Sequence, residues 1–207
     1  MIKNTEISGW RQARRRSARD AIVEAAWALV RDEGLAGLSL RDLARRAGIS
    51  PPTVYAYFDS KNAIYDAMFG AAAAQFADRM AEPYECEDPR ELLAACAQRF
   101  AEFCTSDLER YQLLFQRCVP GFEPSPQSYA PALRALEGAR DLLALNGITD
   151  ARYLDLWTAL ITGLVSQQVA NDPGGGRWTG LIEESVAMFL AHCQPAARVS
   201  APAPARS

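Results

Sequence analysis

Few residues in this chain have the types and spacing of covalent or metal chemistry. His192 is the one histidine, so no metal cluster can be assembled from several imidazoles. The five cysteines, Cys86, Cys96, Cys104, Cys118 and Cys193, contain no CxxC pair and are odd in number. Cys96 and Cys104 are eight residues apart; on one helix they share roughly one face, but their α-carbons lie about 12 Å apart, too far to bridge. They read as small buried hydrophobes, with a redox or metal role as the competing reading. Gly174-Gly175-Gly176 has neither the preceding strand nor the lysine or GxGxxG spacing of a phosphate cradle, and reads as a turn between helices. No nucleophile elbow or converging polar set is present. The chain is not expected to be an enzyme or to hold a cofactor or metal.

The informative stretch runs from Leu38 to Lys61. Ser39 with Asp42 three residues on forms a capping box that opens a helix. Gly48 ends that helix where a left-handed residue is commonly needed, and Ser50 caps another after a very short turn. Ala44 is small enough to let the second helix approach, Ile49 anchors the turn, and Val54 and Phe58, four apart, bury one face. The outward face then presents Pro51, Thr53, Tyr55, Ala56 and Tyr57. A helix showing Thr and two Tyr, near Arg and Lys and without acidic residues, suits a major groove lined by phosphates.

The elements that must position this face follow from periodicity. Ile22, Ala25, Ala26, Leu29 and Val30 predict a helix that stops at Gly34. Asp59 or Ser60 caps a fourth helix running to about Met80. Asp88-Pro89-Arg90-Glu91 opens another, continued by Leu92, Leu93, Cys96, Phe100 and Phe103. Ser106 to Glu109 reads as a further capping box. Residues 120–131 read as a loop, and helices follow at about 131–145, 150–171 and 178–193. No segment alternates strictly, so no sheet is expected and the fold class is all-α. The domain reading is a flexible basic arm over 1–16, a helix-turn-helix DNA-binding domain over 17–65, a second helical domain over 66–194, and a disordered Ala/Pro-rich tail over 195–207.

Composition is compatible with this reading. Of the 207 residues, 49% are hydrophobic, enough for a packed core. No apolar run reaches membrane-spanning length and the first ten residues lack a signal sequence, so a cytoplasmic protein without a membrane partner is expected. The net charge of −3 hides a split. Residues 1–65 hold 11 Lys and Arg against 7 Asp and Glu, a net +4, while residues 66–207 hold 11 against 18, a net −7. A basic head on an acidic body fits a polyanionic partner for the head.

Across residues 18–65 the chain resembles the TetR family of repressors, through Ile22, Ala25-Ala26, Gly34, Leu38-Ser39-Leu40, Leu43-Ala44, Ala47-Gly48-Ile49-Ser50, Thr53-Val54-Tyr55, Tyr57-Phe58 and Ser60-Lys61. The resemblance implies a three-helix DNA-binding head, a variable helical ligand-binding domain, and a homodimer released from palindromic operator DNA by a small-molecule effector. It assigns DNA contact to Ser39, Arg41, Pro51, Pro52, Thr53, Tyr55, Ala56, Tyr57 and Lys61. Arg41 is expected at a base edge, commonly guanine, where its fork can bond twice. Lys61, Tyr57 and Ser39 are expected at phosphate, and the two prolines can offer only apolar contact. Ala56 stands where many relatives carry a larger base-reading residue, which shifts weight to Arg41, Thr53 and DNA shape.

The resemblance also places the ligand among the central helices, where Phe100, Phe103, Cys104, Phe115, Trp157 and Ile161 lie on inward faces. None is charged, so an apolar or aromatic ligand is expected. Leu156 to Val165 looks like the Trp-containing penultimate helix of one subgroup, with Thr162 where a His often stands. The stripes Leu164, Val165, Gln168, Ile182, Val186 and Phe189 are expected at the dimer interface, because the last two helices usually make it in relatives. An activator, or a regulator indifferent to ligands, would carry the same head.

Overall fold

A computed structural model describes the backbone of residues 2–193 and the side chains of residues 13–193. Every regular element among them is helical: α1 Ile2–Glu33, a 3-10 turn Leu35–Gly37, α2 Leu40–Arg46, α3 Pro51–Tyr55, α4 Lys61–Ala81, α5 Pro89–Ser106, α6 Leu108–Phe115, α7 Pro126–Leu145, α8 Ala151–Asn171, a 3-10 turn Thr179–Leu181 and α9 Ile182–Cys193.

Three boundaries differ from the sequence expectation. The segment read as a flexible arm continues α1 as helix from Ile2. The cap of α6 is Asp107, not Ser106; its carboxylate accepts from the Arg110 N–H at 3.0 Å, while the Ser106 hydroxyl turns back to the Phe103 carbonyl. The loop expected over 120–131 ends early, because α7 starts at Pro126, with Ser125 before it held by the Asp66 carboxylate. Pro131 stands inside α7, so the Gln127 carbonyl lacks its usual helical donor there. The expected tail over 195–207 lies outside the described residues.

The chain divides into two compact units, and the division does not follow the linear one. The first comprises residues 1–78 and 107–133; the second comprises residues 79–106 and 134–207. The first unit is built around Ile22, Ala26, Trp27, Leu29 and Val30 of α1, Leu43 and Ala44 of α2, Val54 of α3, and Ile64, Tyr65, Met68, Phe69 and Ala72 of α4. Leu113 joins this core, and Phe122 packs against it, its ring 5.7 Å from Tyr65 and 6.4 Å from Phe69. The return of 107–133 to the head region is therefore an apolar burial effect that local periodicity does not reveal.

In the second unit α5 packs on α8 and α9. Leu93, Cys96, Ala97, Ala101, Phe103 and Cys104 of α5, Trp157, Ile161 and Val165 of α8, and Ile182, Val186, Phe189 and Leu190 of α9 are buried. The Trp157 and Phe189 rings lie 5.4 Å apart. Burial pushes the Cys96 and Cys104 thiols up from their ordinary value, which leaves them as neutral apolar groups.

Candidate nucleic-acid interface

The head is assembled from caps inward. Ser39 precedes α2 in extended backbone and its hydroxyl oxygen accepts from the Asp42 N–H at 3.1 Å. Ser50 does the same for α3, accepting from the Thr53 N–H at 3.3 Å. Gly48, at φ 66°, makes the left-handed turn between them, a backbone conformation that an L side chain resists. The Ile49 N–H then donates to the Ala44 carbonyl at 3.0 Å, which closes the corner and sets α3 across α2.

With the corner closed, Val54 and Phe58 point into the core and the opposite face of α3 is open. Pro51, Pro52, Tyr55 and Ala56 are exposed, and Thr53 and Tyr57 are half-buried beside them. Tyr55 is 53% exposed, a large side chain left in solvent by a helix that buries its other face. The Thr53 hydroxyl is 2.8 Å from that of Ser50, so it is already oriented by the cap.

Charges around this face divide into structural and open ones. Arg46 pairs with Asp32, tying α2 to α1, and Arg45 pairs with Asp42 at 2.8 Å. Arg41 is exposed and makes no ion pair among the described residues. Lys61 starts α4, half-buried; its ammonium donates to the Ala36 carbonyl at 3.4 Å and lies 5.5 Å from the Tyr65 ring. Arg14, Arg15 and Arg16 are exposed on α1. The nine residues expected to meet DNA thus lie on α2, α3, their caps, the turn after α3 (Tyr57) and the first residue of α4, within one unit.

Two residues that position this face were not singled out from the sequence. Tyr65 is buried and its hydroxyl donates to the Leu35 carbonyl, which fixes the 3-10 turn ahead of α2. Burial, with a smaller contribution from Cys118, pushes that hydroxyl up to about 12, so it remains a donor at neutral pH. Arg19 of α1 donates to the Tyr57 carbonyl at 3.1 Å and places its guanidinium 4.3 Å from the centre of the Phe58 ring. Neither role follows a local spacing rule, since the partners are 30 and 38 residues away.

The expected ligand residues are divided. Phe103, Cys104, Trp157 and Ile161 are buried in the second unit, and Phe100 is half-buried there. Phe115 belongs to the first unit, where its ring meets Phe76 edge-on at 5.4 Å and Tyr111 at 5.9 Å. The second unit also has an open groove of about 880 Å³ between α5 and α9, floored by Ala94, Ala95, Val186 and Ala187; none of the six lines it.

The expected dimer residues also need revision. Val165, Gln168, Ile182, Val186 and Phe189 are buried within the single chain, and Leu164 is half-buried. Gln168 instead holds a turn: its side-chain oxygen accepts from the N–H of Trp178 at 2.8 Å and of Thr179 at 3.2 Å, and its nitrogen donates to the Asp172 carbonyl. The Asp172 carboxylate in turn accepts from the Arg177 N–H at 2.9 Å, which holds its carboxyl below the ordinary range. The glycine triplet is the turn these contacts close. No group of His, Cys, Asp and Glu suited to a metal occurs among the described residues, and no helix there is long and apolar enough to cross a membrane.

Residues 22–68 match the family of bacterial regulatory proteins designated tetR. The chain is 29% identical over 136 residues to the HTH-type transcriptional regulator Rv1816 of Mycobacterium tuberculosis (strain ATCC 25618 / H37Rv), covering 62% of this chain and 58% of that protein. It is 26% identical over 172 residues to the class A tetracycline repressor protein from transposon 1721 in Escherichia coli, covering 80% and 74%. The chain thus aligns with less than two thirds of the length of the first relative and about three quarters of the second. Among solved structures it is similar in fold to the transcriptional regulator FadR from Bacillus subtilis in complex with stearoyl-CoA, with a TM-score of 0.61, 20% identity, and coverage of 83% and 97%. The helical fold, the capped helix pair at 39–58 and the match over 22–68 agree: the head of this chain, residues 22–68, is similar to the tetR family of bacterial regulatory proteins.

Proposed function

We propose that the chain is a homodimeric transcriptional repressor that binds a palindromic operator through α2 and α3 and is released by a small, largely apolar ligand. The observation that carries the DNA reading is the open face of α3, with Tyr55 in solvent and no acidic residue on the helix, together with an exposed Arg41 on α2 that makes no ion pair among the described residues. Arg41 is given the base edge; Lys61, Tyr57 and the Ser39 cap are given phosphate, and Thr53, Tyr55, Pro51, Pro52 and Ala56 line the contact. The test is selection of bound DNA from a random pool, footprinting of the selected site, and transcription in vitro from a promoter that contains it. A repressor lowers transcript from that promoter. No enriched sequence would overturn the DNA reading, and increased transcript would reverse the sign.

The dimer reading now uses the surface that α8 and α9 leave open. Leu156, Leu160, Gly163 and Gln167 follow one another at helical spacing on α8, and Leu181, Glu184 and Met188 do so through the start of α9. Leu156, Leu181 and Met188 are 44, 39 and 59% exposed, an unusual cost for large apolar side chains if they stayed in water. A second copy of the same helix pair would bury them.

The ligand reading rests on the apolar set Phe100, Phe103, Cys104, Trp157 and Ile161. It is supported by the stearoyl-CoA complex of a protein with the same fold, since the stearoyl chain is apolar, and by the naming of the class A relative for tetracycline, a small molecule. Phe115 is kept as a candidate on sequence grounds alone. Operator release by members of a small-molecule panel tests it, and a set of effectors that is uniformly small and charged would overturn it.

A further inference from the structure

The recognition helix α3 is five residues long, too short to hold its own geometry. Its first end is tied by the Ser50 cap, and its inner face by Val54 and Phe58. Its second end runs into a turn, Ala56 to Ser60, whose N–H groups are used locally: those of Tyr57 and Phe58 both donate to the Val54 carbonyl, at 3.0 and 2.9 Å. The Tyr57 carbonyl accepts from Arg19 of α1.

We infer that Arg19 is a positioning residue for operator recognition: it fixes the exit of α3 by holding the Tyr57 carbonyl and the Phe58 ring together. The inference rests on the DNA-binding reading above. A guanidinium is planar, so one N–H can lie in the plane toward a carbonyl while the flat face covers an aromatic ring. Both contacts are present on one side chain, at 3.1 Å to Tyr57 and 4.3 Å to Phe58. Phe58 is fully buried, which makes its ring a fixed platform, and Tyr57 and Lys61 lie on either side of it in sequence. Tilting the exit of α3 would therefore displace the two residues assigned to phosphate and swing Tyr55 relative to Arg41. An arginine whose guanidinium already spends one edge and one face on the protein acts on DNA through α3 and not by neutralising a phosphate itself.

The experiment compares wild type, Arg19→Lys and Arg19→Ala. Binding is measured on the selected operator and on unrelated duplex DNA across a salt series, and amide hydrogen exchange on the free proteins. Lysine keeps the charge but has no plane with which to donate and stack together. The expected result is that both variants bind the operator about tenfold more weakly, the scale of one charge-assisted hydrogen bond. Non-specific binding and the salt slope should stay at wild-type values. Exchange at the Tyr57 and Phe58 amides should quicken while amides of α1 and α4 keep their protection. Wild-type affinity in Arg19→Lys, or a slope reduced by about one contact in Arg19→Ala, would make Arg19 a phosphate contact and overturn the inference. Uniformly faster exchange across the head would make it a general stabiliser and also overturn it. If wild type enriched no DNA, the DNA-binding reading would fall, and the exchange data would still decide whether Arg19 holds the turn.

Discussion

The Asp66 carboxylate of α4 accepts two hydrogen bonds from Ser125, from its backbone N–H at 2.6 Å and from its hydroxyl at 2.9 Å. A third comes from the Ser128 hydroxyl at 2.9 Å. One turn further along α4 is Gly70, where a Cβ would lie 3.0 Å from that same hydroxyl, so a side chain there would press on the start of α7. The carboxylate thus caps α7 from another helix and holds residues 121–129 on α4, where Phe122 and Tyr129 meet Tyr65 and Phe69. Replacing Asp66 with Ala leaves the Ser125 N–H without an acceptor and is expected to cost about 1–3 kcal/mol in urea unfolding. Ser128→Ala should cost less, because it removes one of the three bonds.

Asp107 is expected to make stability fall in acid. Burial alone raises its carboxyl, but the hydrogen bond from Arg31 at 2.8 Å, that from the Arg110 N–H, and the two guanidinium charges outweigh burial and hold it below the ordinary carboxylate range. A depressed folded-state value contributes stability that is present above the unfolded value of about 4 and is lost as pH falls through the folded one. Arg31→Ala should destabilise by about 1 kcal/mol at neutral pH, the lower end for a charged pair because Arg31 is substantially exposed. The wild-type and variant curves should converge toward low pH, which unfolding measured from pH 7 down to the acid limit would show.

Arg41 and Lys61 should separate on DNA although both are cations. Arg41→Ala is expected to cost about 1–3 kcal/mol on the selected operator and little on operators changed at the contacted base. Lys61→Ala should weaken all sequences alike and reduce the log–log salt slope by about one. Titrations on duplexes carrying each base at each half-site position, at several salt concentrations, distinguish the two. Uniform loss for Arg41→Ala would move it to phosphate.

Oligomerisation should respond to Met188 and not to its neighbour. Met188→Arg places a charge on the open face of α9 and is expected to give a folded monomer that binds the operator weakly. Val186→Arg places it in the core at a site only 3% exposed and should unfold the protein by several kcal/mol. Sedimentation and circular dichroism together make the comparison. A dimer retained by Met188→Arg and Leu156→Arg alike would place the interface elsewhere.

Gln168→Leu should be destabilising out of proportion to its volume. The substitution leaves the Trp178 and Thr179 N–H groups without the acceptor they now share, which is worth about 1–3 kcal/mol per stranded donor. Faster proteolysis within 172–178 should accompany the loss.

Ser39, Gly48, Ser50, Val54 and Phe58 were legible from the sequence because caps, left-handed turns and i to i+4 burial are set by residues a few positions apart. The whole head is made of such local rules, and the residues on its open face follow once the buried ones are known. The stripes on α8 and α9 were expected at a dimer interface, and Val165, Gln168, Ile182, Val186 and Phe189 are buried within the single chain. An apolar stripe records that a face is buried, not whether its own chain or a second copy covers it, so Val165, Ile182 and Phe189 could be placed only when α5 was seen packing on both helices.

What the amino-acid order alone determined is therefore the all-helical class, the positions of most helices, the corner between α2 and α3, and which side of α3 is open. Tertiary structure decided the rest through partners distant in sequence. Asp66 met Ser125, Arg31 met Asp107, Tyr65 met Leu35 and Arg19 met Tyr57, each across 30 or more residues. Hydrogen bonds and ion pairs of this kind carry no periodic signature, because a single polar residue on a helix looks solvated until the chain returns to it. Phe115 makes the same point for the core: its aromatic character marked it as inward, and the return of residues 107–133 to the first unit brings its ring against those of Phe76 and Tyr111.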